Sequence, residues 1–138
     1  MPTGSEDCLF CKIAAGELPA TVVDEDARTV AFMDINPATR GHALVIPRAH
    51  TTDLHEIGKD DLHAVALAAQ RLAGRMRARL GAEGVNLINS CGAAAWQTVF
   101  HFHMHVVPRY VDDPLELPWV PAPGDMDEIA ATGELLRG

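Results

Sequence analysis

The run Val99-Phe100-His101-Phe102-His103-Met104-His105-Val106-Val107 ("VFHFHMHVV") alternates histidine with large apolar residues. Large apolar and β-branched side chains favour a strand. A strand sends successive side chains to opposite faces. His101, His103 and His105 are therefore expected on one face, with neighbouring imidazoles about 6.6 Å apart, from two residues at about 3.3 Å rise. Phe102, Met104 and Val106 would enter a core on the other. Three histidines in register suggest a metal, a phosphate, or a wet face of satisfied rings. Two imidazoles at i and i+2 can share a metal, but a straight strand carries the third too far. Imidazoles donate hydrogen bonds to phosphate, and a neutral one is a nucleophile toward phosphorus.

Upstream of this strand the pattern changes period. Between Asp60 and Leu80, Leu62, Val65, Ala69, Leu72, Met76 and Leu80 recur at three- and four-residue spacing, which predicts one long amphipathic helix. Asp60 and Asp61 suit its positive end. Arg75, Arg77 and Arg79 suit its negative end, and Gly81 supplies the stop. Thr21–Asp24 and Thr29–Asp34 flank the acidic turn Glu25-Asp26 and read as a hairpin. Ala43–Pro47 ("ALVIP") reads as a buried strand stopped by proline, and Val85–Asn89 as another strand. Gly92–Gln97 reads as a loop, and Cys8–Ala15 as a short helical turn. From Val111 the chain is rich in proline, acids and glycine, with Trp119 as the expected anchor. Hairpin, strand, helix, strand, strand gives an α+β fold with an antiparallel sheet.

The 138 residues suffice for a single domain, 1–138, with a proper core. The formal net charge of −8 argues against a general nucleic-acid binder but leaves room for a small anion held by local donors. The first residues, MPTGSEDC, lack the basic region and apolar run of a secretion signal. No apolar stretch has the length of a membrane span. Three cysteines without a secretion signal do not make a disulfide framework, so a cytoplasmic protein with reduced thiols is expected.

Cys8 and Cys11 form a C-x2-C pair. Two thiolates at this spacing can chelate one zinc with two further ligands; two small buried residues near the N-terminus is the competing reading. Redox chemistry is disfavoured, because no thioredoxin-like βαβ pattern follows. Cys91 lies far along the chain in a loop, so further ligands would be histidines. Of the seven, His55 and His63 read as surface residues. His42, His50 and the triplet remain.

Three blocks, "CLFCKIAAGELPA" (8–20), "AFMDINPATRGHALVIPRAH" (31–50) and "QTVFHFHMHVVPR" (97–109), together resemble the histidine triad (HIT) nucleotide-binding family, in its order and spacing. The likeness is greatest to the bacterial Hint-like branch with an N-terminal cysteine pair. It covers a core at about 8–110 and leaves 111–138 as a C-terminal tail. The resemblance implies a five-stranded antiparallel sheet with one long and one or more short helices, paired into a homodimer through the long helix. It implies a purine nucleotide ligand and hydrolysis or transfer at the α-phosphate of nucleoside phosphoramidates.

Carried over residue by residue, the resemblance assigns a structural zinc to Cys8, Cys11, His50 and His101. His103 becomes the nucleophile, its other ring nitrogen held by the His101 carbonyl, and His105 a donor to a phosphate oxygen. Gln97 and Thr98 fall beside the phosphate and leaving group. Asp34 falls on the ribose hydroxyls, and Phe32 and Ile35 on either side of the base. Two positions depart from the usual pattern. "NSCG" (89–92) puts Ser90 where relatives carry an amide toward the phosphate, and Trp96 stands where they carry glycine. Both bear on substrate choice. The competing functions are a dinucleoside polyphosphate hydrolase and a nucleotide-binding regulatory module without useful turnover.

Overall fold

A computed structural model describes residues 7–138. Helix α1 spans Leu9–Ala14, followed by strands β1 (Val22–Glu25), β2 (Thr29–Met33) and β3 (Ala43–Pro47). Next come the long helix α2 (Lys59–Leu80), β4 (Gly84–Ile88), a 3-10 turn at Ala93–Ala95, β5 (Met104–Arg109) and helix α3 (Met126–Leu136). The strands form one five-stranded sheet in the order β1-β2-β3-β5-β4, and every neighbouring pair is antiparallel. No helix is long and apolar enough to cross a membrane among the described residues.

Alternation along the central strands produces two cores. Ala31 of β2, Ala43 and Val45 of β3, and Phe102 and Val106 pack with Val65, Leu72 and Met76 of α2. Their neighbours in sequence, Val30, Phe32, Leu44 and Ile46, pack on the opposite face with Cys8 and Phe10. Both faces of β2 and β3 are therefore covered, so these strands read as continuous apolar runs. In β5 one side continues the α2 core and the other carries histidine. Leu44 faces His105 across the β3–β5 ladder, which sets the ring on the α1 side of the sheet.

Two details secure the periphery. The β1–β2 ladder shifts register between Val22 and Asp24. Asp24 there binds the guanidinium groups of Arg71 and Arg75, each at 3.0 Å, and Arg75 also donates to the Val23 carbonyl at 3.1 Å. At the C-terminal end of α2, Gly81 takes the left-handed cap at φ 70°.

Three expectations need correction. The histidine strand begins at Met104, not at Val99; His101–His103 lies before it outside the ladder, and Phe102 N–H bonds the Thr51 carbonyl rather than a ladder partner. Residues 126–136 of the tail are helical, capped by the Asp125 carboxylate on Asp127 N–H. Trp119 is 63% exposed and anchors nothing.

Gly41 sits at φ +94°, and a Cβ there would lie 2.5 Å from Leu80 Cδ1 and 3.1 Å from Pro108 Cγ. Gly16, at φ +77°, has nothing within 4 Å of the same position. Gly41→Ala should cost about 2–3 kcal/mol, combining left-handed strain with overpacking, and Gly16→Ala only about 1 kcal/mol. Chemical denaturation of the two variants checks the difference.

Candidate functional site

The short α1 places Cys8 and Cys11 on one turn, with Cys8 Sγ accepting from Cys11 N–H at 3.4 Å. The chain entering β5 brings His101 to them, and the segment after β3 brings His50. His101 Nδ1 lies 3.3 Å from Cys8 Sγ and 3.4 Å from Cys11 Sγ, and His50 Nδ1 lies 3.3 Å from Cys11 Sγ. All four ligand atoms fall within 4.8 Å of one another. A tetrahedral zinc with bonds of 2.0–2.3 Å needs separations of about 3.3–3.8 Å.

The tautomer also fits. His101 Nε2 is 2.8 Å from the Pro47 carbonyl, which only accepts, so that nitrogen carries the proton and Nδ1 offers its lone pair to the sulfurs. His101 is fully buried, and burial pushes its pKa down to about 4. Burial, followed by the neighbouring Cys8, pushes the Cys11 thiol up to about 12. A cation bound there would reverse that preference. These four residues could hold a metal ion.

His103, the next ring on the same side, is 6% exposed. Its Nδ1–H donates to the His101 carbonyl at 2.8 Å, leaving Nε2 without a proton in the neutral ring. Phe10 meets it edge-on at 5.2 Å. Burial lowers the pKa of His103, against the raising effects of the His101 carbonyl and of Asp34.

His105 follows, its ring centroid 5.1 Å from that of His103. Its Nδ1 is 2.9 Å from Nε2 of His42. Backbone N–H of Ala38 donates to His42 Nδ1 at 3.0 Å, so the His42 proton sits on Nε2 and points to His105. His105 Nδ1 therefore accepts, and its own proton lies on Nε2. This line of bonds fixes both tautomers without a charge. Burial holds both rings below the ordinary histidine pKa, His105 at about 4, where His103 and His42 add to the effect. Asp34 Oδ2, 3.5 Å from His42 Nε2, pulls weakly the other way.

Asp34, His42 and His105 also cluster closely enough to suggest a second metal group. The hydrogen bonds oppose it. A metal on His42 Nε2 would move the proton to Nδ1 and break the bond from Ala38 N–H.

His103 and His105 line a cavity of about 500 Å³, together with Asp34 and Thr98. The rest of its lining is largely apolar, with Leu9, Ile13 and Leu18 as well as Phe32 and Leu44. Phe32 forms a buried wall, and Ile35, 90% exposed, lies at the mouth. Gln97 is 4% exposed and does not line the cavity. Its amide is spent on backbone: Oε1 accepts from Gly92 N–H, and Nε2 donates to the carbonyls of Thr52 and Val99. It ties the 92–99 loop to the segment after His50. Ser90 is half-buried and lies outside the lining. Trp96 is 76% exposed at φ 74°, the one non-glycine residue with positive φ among the described residues.

Two residues of this arrangement escaped the sequence reading. His42 was a candidate without a role; its signal was a histidine directly before a fully buried strand. Asn89, read only as part of a departure from pattern, donates to the His103 carbonyl at 3.0 Å.

The bond line predicts a spectroscopic result. Nitrogen-detected histidine spectra should show His105 protonated at Nε2 and bare at Nδ1 at pH 7. Its titration midpoint should lie well below 6.5, toward about 4. A midpoint at or above 6.5 would remove the neutral pair.

The HIT domain profile matches residues 15–112. Adenosine 5'-monophosphoramidase hnt1 of Schizosaccharomyces pombe is 34% identical over 128 residues, covering 92% of this chain and 93% of that protein. A solved structure of SMU.412c from Streptococcus mutans superposes with a TM-score of 0.89 at 37% identity, over 94% of this chain and 83% of that one. A zinc-bound histidine triad family protein from Mycobacterium smegmatis does so at 0.78 and 41% identity, over 96% and 97%. The sheet order, the row of histidines and these likenesses over most of the length agree on one conclusion: the chain belongs to the HIT domain family.

Proposed function

We propose that the protein is a hydrolase of purine nucleoside phosphoramidates, acting at the α-phosphate through His103. The observation that carries this reading is the 2.8 Å bond from His103 Nδ1–H to the His101 carbonyl. It presents a neutral imidazole with a free Nε2 in the lining of a cavity of nucleotide size. The similarity to the S. pombe phosphoramidase supports the choice of bond.

In the proposed reaction Nε2 of His103 attacks phosphorus, forming a P–N bond as the P–N bond to the leaving amine breaks. The amine departs protonated from solvent. Water then cleaves the nucleotidyl-histidine, releasing the nucleoside monophosphate and the neutral ring. His105 Nε2–H donates to a non-bridging oxygen as negative charge gathers there, held in that tautomer by His42. Burial of the pair keeps donor and nucleophile neutral, so catalysis rests on position and local dipoles. Asp34 would accept from the ribose hydroxyls, and the apolar lining between Phe32 and Ile35 would take the base. Thr98 sits nearest the leaving group, with Gln97 holding its loop. Ser90 would reach the phosphate only through water.

Zinc is the metal we assign to Cys8, Cys11, His50 and His101, supported by the fit of the four ligand atoms and by the zinc-bound relative. It would supply a cross-link between α1, the segment after β3 and the start of the histidine run. We also propose a homodimer through α2 and β4, where Leu67, Leu87 and Ile88 stand 57%, 50% and 46% exposed.

The decisive experiment incubates the protein with adenosine phosphoramidate and measures AMP release. His103→Ala should lower kcat by at least about a thousandfold and leave AMP binding within a few-fold, because the loss falls on the transition state. Alkaline quenching should trap label on His103 of the unaltered protein. Retained turnover in His103→Ala, or label on His105, refutes the role. No turnover by the unaltered protein, with AMP still bound, would favour a binding module.

Elemental analysis should find about one zinc per chain. Cys8→Ala should lower Tm by several degrees while kcat of the remaining folded protein changes less, since a structural metal contributes folding free energy. A metal-free protein whose Cys8 and Cys11 are freely alkylated in the native state would remove the assignment.

A further inference from the structure

Away from the histidines, α2 and the β1–β2 hairpin enclose a groove of about 360 Å³. Met33, Leu72 and Met76 form its floor, and Arg40, Arg75 and Arg79 its rim. Arg75 is held by Asp24. Arg40 and Arg79 make no ion pair among the described residues. In a chain of net charge −8 this is a local inversion of sign around an apolar floor.

The same chain carries the complement of that groove. Along α3, Met126, Ile129, Ala130, Gly133 and Leu136 recur at three- and four-residue spacing and form one apolar stripe. Asp127 and Glu134, seven residues apart, run along its edge, and the helix contains no lysine or arginine. Glu134 meets only Arg137, just past the helix end. No residue of α3 is buried: Met126 is 73% exposed, Ile129 54% and Leu136 81%. An isolated helix of 11 residues is marginal in water. Its acidity and lack of basic residues disfavour an anionic lipid surface as the cover.

We propose that α3 of one copy docks in the Arg40–Arg75–Arg79 groove of a second copy. The apolar stripe lies on Met33, Leu72 and Met76, and Asp127 and Glu134 meet the arginine rim. Each copy offers one helix and one groove, and an exchange made reciprocal by a two-fold axis closes at two.

Native-state hydrogen exchange on the full-length protein tests this across a concentration series, with sedimentation reporting association. The α3 amides should be protected in the associated protein and lose at least about tenfold in protection on dilution to monomer. Arg40→Glu with Arg79→Glu should remove that protection at every concentration by placing like charges together. Adding Asp127→Arg and Glu134→Arg should restore it. Amides of α2 and the sheet report in the same spectra that the fold is intact; should the double variant lose the fold, the dilution series on the unaltered chain decides. Open α3 amides at all concentrations overturn the proposal. So does protection in the monomer, which means docking on the same chain. Protection that survives the arginine reversals, or a charge exchange that fails to restore it, overturns it as well.

Discussion

The site depends on the double use of His101. Its ring nitrogen Nδ1 faces two thiols, its Nε2–H is held by the Pro47 carbonyl, and its own carbonyl accepts the proton of His103 Nδ1. One residue thus joins the cysteine corner to the ring that presents a free nitrogen to the cavity. A shift of the corner would move that carbonyl, and with it the tautomer of His103. The coupling is mechanical and local, through one residue that is fully buried. A metal held at that corner would act on the His103 ring through this residue without touching the cavity.

The second constraint is electrical. Three adjacent imidazoles in a largely desolvated space repel one another when charged, and burial already disfavours the charge. The fold answers with acceptors and donors that select neutral tautomers: a carbonyl under His101, a carbonyl under His103, and the Ala38 N–H behind His42. Asp34 is the one carboxylate beside these rings, its Oδ2 3.5 Å from His42 Nε2, and it pulls weakly toward the charged form.

Much of this was legible because strand alternation is a local rule. Phe102 and Val106 join the α2 core, and His103 and His105 line the cavity on the other side, as the period of two requires. The α2 stripe, the hairpin, β3 and β4 are likewise set by short-range pattern. The place where β5 begins was not legible, since Val99–His103 has strand residues throughout and only the long-range bond from Phe102 to Thr51 takes it out of the ladder. Helix α3 escaped for a related reason. The tail reads from its composition as rich in proline, acids and glycine, and among the described residues no buried partner marks the apolar stripe of α3. The role of His42 depends on a contact 63 residues away, which spacing along the chain does not encode.

The two edges of the sheet are unequal. At β1 the register shift and the guanidinium of Arg75 on the Val23 carbonyl disturb the outer rim and occupy one of its acceptors. At β4 the rim is regular and flanked by half-exposed Leu87 and Ile88. Edge-to-edge growth is therefore favoured on one side and resisted on the other. Two copies that meet β4 to β4 about a two-fold axis bury their receptive rims against each other and leave only resistant ones outside. Growth by strand addition would then end at a finite particle, and the same asymmetry would guard the protein against fibres.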